Sequence, residues 1–204
     1  MPAELLLPLF PLEVVLLPSA TLPLHIFETR YKLMIGEAIQ NHSEFGIVLA
    51  KDSSLVNVGC TATVEKVIRR YDDGRMDIVT AGRRRFEILF LDEQKPYLQA
   101  AVHFFEDDPD TAPAPPAAQR LAELYENVLR FLSQTGAPAP EAGVTTFQAG
   151  GCLPLDLEVK QRLLTSRSEA ERVTILNEYL EKLLPRLKLA QRAERSARGN
   201  GHGR

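Results

Sequence analysis

Four histidines and two cysteines carry the most versatile chemistry in this chain, and their spacing decides what they can do. His25, His42, His103 and His202 stand far apart, with no H-E-x-x-H and no paired C-x-x-C, so the sequence encodes no compact metal-ligand set. Each reads as structural or solvated. Cys60 and Cys152 are equally distant from one another, which suggests neither a disulfide framework nor a zinc knuckle and fits a reducing cytoplasm. Cys152 follows Gly150-Gly151, where an exposed thiol would react, but a free cysteine more often serves as a small buried hydrophobe, and that role is expected here. Nucleotide hydrolysis needs a phosphate cradle, yet there is no G-x-x-x-x-G-K-[ST] and no Gly-Lys dipeptide. No G-x-S-x-G elbow occurs either. The expectation is a protein with no catalytic residue, no cofactor and no metal.

Arginines offer the next chemistry, phosphate binding. Arg83, Arg84 and Arg85 form the densest basic run, and Arg69 and Arg70 lie on a neighbouring predicted strand, so the five are the candidates for a nucleic-acid face. Strand alternation argues against one patch, because Arg84 must point away from Arg83 and Arg85. The net charge of −3 and a pI near 5.9 add no global attraction to nucleic acid or anionic membrane. Glu28 and Arg30 sit at a strand-to-helix junction, where charged groups usually cap backbone or pair with neighbours.

These residues are positioned by a β-rich first half. Leu7-Pro8-Leu9-Phe10-Pro11-Leu12 and Leu22-Pro23-Leu24-His25-Ile26 interleave prolines with leucines, and proline cannot donate to a ladder, so these segments belong at edges or turns that still bury apolar side chains. Tyr31, Met34, Ile35, Ala38 and Ile39 fall on one helical stripe, with initiation near Thr29 and a stop near Asn41; this helix is expected to plug an open end of the sheet. From Phe45 to Glu106 the period is two. Tyr71-Asp72-Asp73-Gly74 between Val64–Arg70 and Arg75–Ala81 predicts a hairpin. Phe86, Ile88 and Phe90, facing Leu98, Ala100, Val102 and Phe104, are the predicted inner rows. Tyr97 and Phe105 lie on the opposite parity and, with Phe147 on a glycine-flanked stretch, are the candidate exposed aromatics for binding a partner.

The organisation expected is therefore a β-rich domain over 1–106, a proline-rich acidic linker over 107–119, a helical subdomain over 120–189 and a flexible tail over 190–204. The helical part rests on the stripe Leu121, Leu124, Tyr125, Val128, Phe131 and Leu132, a break at Gly136–Pro140, an Asp156-capped helix, and a Ser168/Glu171 capping box before Val173, Leu176, Leu180, Leu183 and Leu187. The apolar N-terminus has no Lys or Arg before it and is broken by Pro8, Pro11 and Glu13, unlike a signal peptide, and no apolar run is long enough to span a membrane.

In order along the chain, LPLFPLEVVLLP, LPLHIFETRY, FGIVL, VGCTATVEKV, DGRMDIVTAGRRRFEI and LPLDLEVKQRLL resemble the N-terminal substrate-recognition domain of Lon proteases and its stand-alone relatives. Thr29 stands where that pattern has proline after Ile26-Phe27-Glu28. The resemblance implies an α+β fold: a PUA-like pseudo-barrel with one inserted helix, followed by a small helical bundle. The ATPase and Ser-Lys peptidase of full-length Lon are not expected in this chain, which ends soon after the helices. The function implied is binding of unfolded or exposed polypeptide segments through apolar surface, with a separate protease as the further partner to consider. The alternative is an RNA-binding PUA-like protein using Arg69, Arg70 and Arg83 to Arg85.

Overall fold

The computed structural model describes residues 6–52, 54–133 and 145–199, with side chains described as far as Ala190. The elements run β1 (Leu7–Leu12), β2 (Thr21–Ile26), α1 (Thr29–Asn41), β3 (Phe45–Lys51), β4 (Ser54–Arg70), β5 (Met76–Asp92), β6 (Gln99–Phe104), α2 (Pro115–Ser133), α3 (Thr146–Cys152), α4 (Leu157–Thr165) and α5 (Glu169–Gly199). Strands first and helices afterwards make this an α+β chain. The described residues of Met1–Asp107 and Phe147–Ser166 form one compact unit, and those of Asp108–Thr146 and Arg167–Arg204 form a second.

In the first unit the strand ladders close on themselves. β1 pairs in parallel with β3, from Leu9↔Gly46 to Leu12↔Leu49, and antiparallel with β6 at Leu7↔Ala100; β3, β4, β5 and β6 follow as antiparallel neighbours. The circuit β1-β3-β4-β5-β6-β1 is compatible with the pseudo-barrel that the resemblance implies. Its closure depends on the length of β5, 17 residues, whose first part carries β2 from Thr21↔Ala81 to Ile26↔Met76 and whose last part carries β6. Leu7, Leu9, Val48, Phe86 and Ala100 pack together inside. Helix α1 begins after Glu28, ends with His42 in the left-handed region at φ 52, and buries Tyr31, Met34, Ile35 and Ala38, with the Tyr31 ring 4.1 Å from that of Phe10. The hairpin turn forms where Asp-Gly places it: Gly74 has φ 82, and the Tyr71 N–H donates to the Arg75 carbonyl at 2.9 Å.

Two expectations about parity are corrected. A register shift between Ile88 and Phe90 puts a bulge into the β5–β6 ladder, so Phe90 turns outward while Phe86 stays buried. Phe104, on the same predicted inner row as Ala100, is also exposed.

Arg85 ties the returning segment 147–166 to this unit. It is 4% exposed, its guanidinium donates to Asp107 at 2.6 Å and to the carbonyl oxygens of Leu164 and Ser166, and its charge lies over the rings of Phe105 and Phe147 at 4.7 and 5.1 Å. Helix α4 adds its own ties to the strands: Gln161 donates to the Val58 carbonyl at 3.0 Å, and Lys51 meets Glu158 at 3.5 Å. Consequently α4 and all of α3 after Thr146 cluster with the β unit rather than within a single helical subdomain over 120–189. The sequence marked α4 but not α3, whose Thr146–Cys152 stretch reads as a glycine-flanked segment, and periodicity could not show which neighbour either one buries against.

The second unit pairs α2 with α5. Leu124, Tyr125, Val128 and Leu129 of α2 and Val173, Leu176 and Leu180 of α5 are buried, while Asn177 donates to the Ala117 carbonyl and Arg120 meets Glu181 at 3.1 Å. Residue numbers rise together along both helices, so they run parallel, an arrangement that requires a long connection rather than a tight turn. The Ser168 Oγ accepts from the Glu171 N–H at 3.2 Å, as the capping-box spacing predicts; Asp156 occupies the N-cap of α4 without a side-chain cap bond. α2 starts inside the predicted linker, at Pro115, because proline is pre-organised for a first helical turn. α5 continues to Gly199 across positions read as a tail, where Ala, Gln, Glu and Arg favour helix. The predicted break at Gly136–Pro140 lies outside the described residues.

Two substitutions test this architecture. Arg85→Ala leaves a partly exposed Asp107 carboxylate and two carbonyls without their cation, and is expected to cost about 2–4 kcal/mol, with faster amide exchange in α4 than in β3. Gly82→Ala places a Cβ 2.2 Å from the Leu17 carbonyl oxygen, where backbone must yield, and is expected to lower stability by about 1–3 kcal/mol in chemical denaturation.

Candidate functional site

Tyr97 and Phe105, chosen from parity, are buried, and Phe147, chosen for its glycine-flanked position, is half-buried. Tyr97 is 2% exposed; its hydroxyl donates to Glu37 on α1 at 2.6 Å and accepts from Lys95 Nζ at 2.7 Å. The hydrogen bonds from Tyr97 and then Lys95 hold the Glu37 carboxyl below its usual range, and burial pushes the Tyr97 phenol up. Phe105 is buried beneath the Arg85 guanidinium, and Phe147 is half-buried against the same cation. Parity identified residues outside the inner row, but a closed circuit covered by α1 and by the 147–166 segment has core on both sides of β6. Tyr97 and Phe105 therefore leave the list of binding candidates, and Phe147 serves Arg85.

Nor do the arginines assemble into one face. Arg83 donates to Thr63 at 2.9 Å and to Glu65; Arg84 meets Glu44 at 3.0 Å and lies 3.9 Å over Phe104; Arg85 is enclosed with Asp107. Three consecutive cations reach three separate carboxylates. Arg69 lies 4.5 Å over Tyr71, and Arg70 is exposed at the hairpin. For Arg83, Arg84 and Arg85 this neutralised, divergent placement argues against a single phosphate-binding face.

Reactive chemistry is equally scattered. No group of three His, Cys, Asp or Glu residues suited to a metal occurs among the described residues. Cys60 is buried, and burial pushes its thiol up to about 12, which keeps it protonated and inert. Cys152 is exposed, contrary to the expectation of a buried hydrophobe, because α3 ends there. His25 Nδ1 lies 2.6 Å from Asp77, which also accepts from the Tyr71 hydroxyl at 2.8 Å; these bonds, His25 first, hold the Asp77 carboxyl low. Glu28 pairs with Arg30 at 2.8 Å. Among the described residues no helix is long and apolar enough to cross a membrane.

Two accessible surfaces expose large apolar side chains. A groove of about 450 Å³ between β1, β2 and α1 is lined by Phe10, Leu24, His25 and Phe27 together with the charged Glu28 and Arg30, and Phe27 is 59% exposed. At the far end of β5, Leu89, Phe90 and Leu91 are 65%, 50% and 46% exposed in immediate succession. The sequence reading missed this second surface. Its signal was the four-residue apolar run Ile88-Leu89-Phe90-Leu91 where alternation should have continued, the mark of a strand end that departs from the two-faced pattern.

Comparison with known proteins agrees with this picture. The family profile for the ATP-dependent protease La (LON) substrate-binding domain matches residues 6–182. A Lon protease of Anaeromyxobacter dehalogenans is 25% identical over 211 residues, covering 95% of this chain and 25% of the relative, so the chain spans about a quarter of that protein's length. The crystal structure of a Lon N-terminal domain protein from Xanthomonas campestris superposes with a TM-score of 0.65 at 26% identity, covering 88% of this chain and 97% of the other. The N-terminal domain of a Mycobacterium avium complex Lon protease shares the fold, with a TM-score of 0.64 at 17% identity over 86% of this chain and 98% of the other. A profile match running from β1 into α5, on a fold shared with solved Lon N-terminal domains, leads to one assignment: the chain belongs to the Lon substrate-binding domain family.

Proposed function

We propose that this protein is a non-catalytic recognition module that binds exposed segments of other polypeptides through apolar surface. The observation that carries the reading is the run Leu89-Phe90-Leu91, three large side chains exposed to water at the end of β5. Such exposure has a standing free-energy cost of about 25 cal/mol per Å² of apolar area, which a bound apolar segment would relieve. Desolvation is indifferent to side-chain order, so this surface accepts many sequences and discriminates weakly among them. The relatives with the same domain are proteases, and recognition is the part of their task that this domain can carry; the ATPase and peptidase chemistry is not carried over. The module works in the cytoplasm, where thiols such as the exposed Cys152 stay reduced, and a separate protease is the natural recipient of what it captures.

Binding of a permanently unfolded protein, reduced and carboxymethylated lactalbumin, tests the proposal. Affinity measured by fluorescence anisotropy is expected to change less than about threefold between 50 and 300 mM salt, because apolar contacts release no counterions. A homopolymeric RNA in the same assay is expected to bind weakly and to lose its affinity steeply with salt. Absence of lactalbumin binding, or tight RNA binding at 300 mM salt, defeats the reading.

A further inference from the structure

The β5 strand outlasts its partner. Its ladder with β4 ends at Val58↔Glu87, whereas its ladder with β6 continues through Ile88↔Val102, Phe90↔Ala101 and Leu91↔Ala100 to Asp92↔Gln99. Residues 88–92 are thus paired on one side only among the described residues, and Leu89, Phe90 and Leu91 are the exposed apolar side chains of that same stretch. The register irregularity at Ile88–Phe90 belongs to the β6 ladder and leaves the other edge open. The β4 side of the fork is occupied differently: Gln161 of α4 donates to the Val58 carbonyl.

Elsewhere the fold guards its edges. β2 pairs with β5 alone and carries Pro23, and β1 carries Pro8 and Pro11 where its β6 ladder has ended or is ending, so these edges lack donors that an added strand would need. Residues 88–92 contain no proline and no lysine, the two usual edge-blunting devices. From Phe86 to Gln94 there is no cation at all, and the open edge ends in Asp92 and Glu93.

Resting on the proposed recognition function, we infer that residues 88–92 of β5 are a strand-addition site for an extended apolar polypeptide segment flanked by basic residues. The open edge supplies backbone hydrogen bonds that are independent of sequence, Leu89, Phe90 and Leu91 supply apolar contact, and Asp92 with Glu93 favours a Lys or Arg beyond the apolar stretch. The groove at Phe27 lacks this combination because Pro11 and Pro23 flank it.

The test uses the full chain and a nonapeptide with a Val-Thr-Leu-Val-Phe centre and two lysines at each end, together with the same peptide N-methylated at alternate backbone nitrogens. The unmethylated peptide is expected to bind at least tenfold more tightly than the methylated one and to slow amide exchange at residues 88–92. Leu89→Lys is expected to weaken it at least tenfold, and Phe27→Lys to leave it unchanged; both positions are exposed, and thermal melts verify folding. Equal binding of the two peptides overturns strand addition while leaving apolar recognition standing. Protection confined to the Phe27 groove, or no peptide binding alongside retained lactalbumin binding, overturns the site and not the function. Concentration-dependent dimers that protect residues 88–92 without peptide also overturn it, because the occupant would then be a second copy of this chain.

Discussion

A buried guanidinium organises the first unit. Arg85 stands among Phe105, Phe147, Asp107 and the carbonyls of Leu164 and Ser166, and a cation removed from water in this way is tolerable only when each donor finds an acceptor. That requirement gathers groups from three separate stretches of sequence: the middle of β5, the end of the strand region and the segment that returns after α2. It explains why residues 147–166 belong with the strands although they follow a helix of the other unit. Aromatic faces and backbone carbonyls complete what one carboxylate cannot supply.

The same strand that carries Arg85 also sets the surface chemistry. β5 bridges β4 and β6 to close the circuit and also carries β2, and a strand long enough for all three runs past the end of one of them. The stretch left over combines open backbone with apolar side chains. A soluble protein usually covers or charges such an edge, because it recruits other chains. Here prolines blunt β1 and β2, and α4 lies along the β4 side, so the protein applies edge protection in some places and omits it in another. A selective lapse of this kind is what the proposed recognition role would use.

Polar surface chemistry follows a different logic. The arginines that resembled a phosphate-binding run are distributed by the strand's own geometry to Glu65, Glu44 and Asp107, so local charge density in sequence becomes dispersed, neutralised charge in space. Likewise the Glu37–Tyr97–Lys95 network joins α1 to the approach of β6 and secures a tyrosine that parity alone had placed outside. A closed circuit has two covered faces wherever helices lie against it, which is why an aromatic off the inner row was still core.

Local rules were legible in the residues themselves: the α1 stripe, the Asp-Gly hairpin ending at Gly74, the capping box at Ser168, the succession from strands to helices, and the ordered motifs that resemble the Lon substrate-binding domain. Each depends on contacts within about a turn of helix or a pair of strands, so short-range spacing encodes it. Three features were decided only by tertiary structure: the outward turn of Phe90, the burial of Tyr97 and Phe105, and the docking of 147–166. These turn on a bulge, on which helix lies over which strand, and on where β4 stops pairing. Such quantities depend on partners distant in sequence, and the period of a strand gives the side a residue points to without specifying what, if anything, waits there.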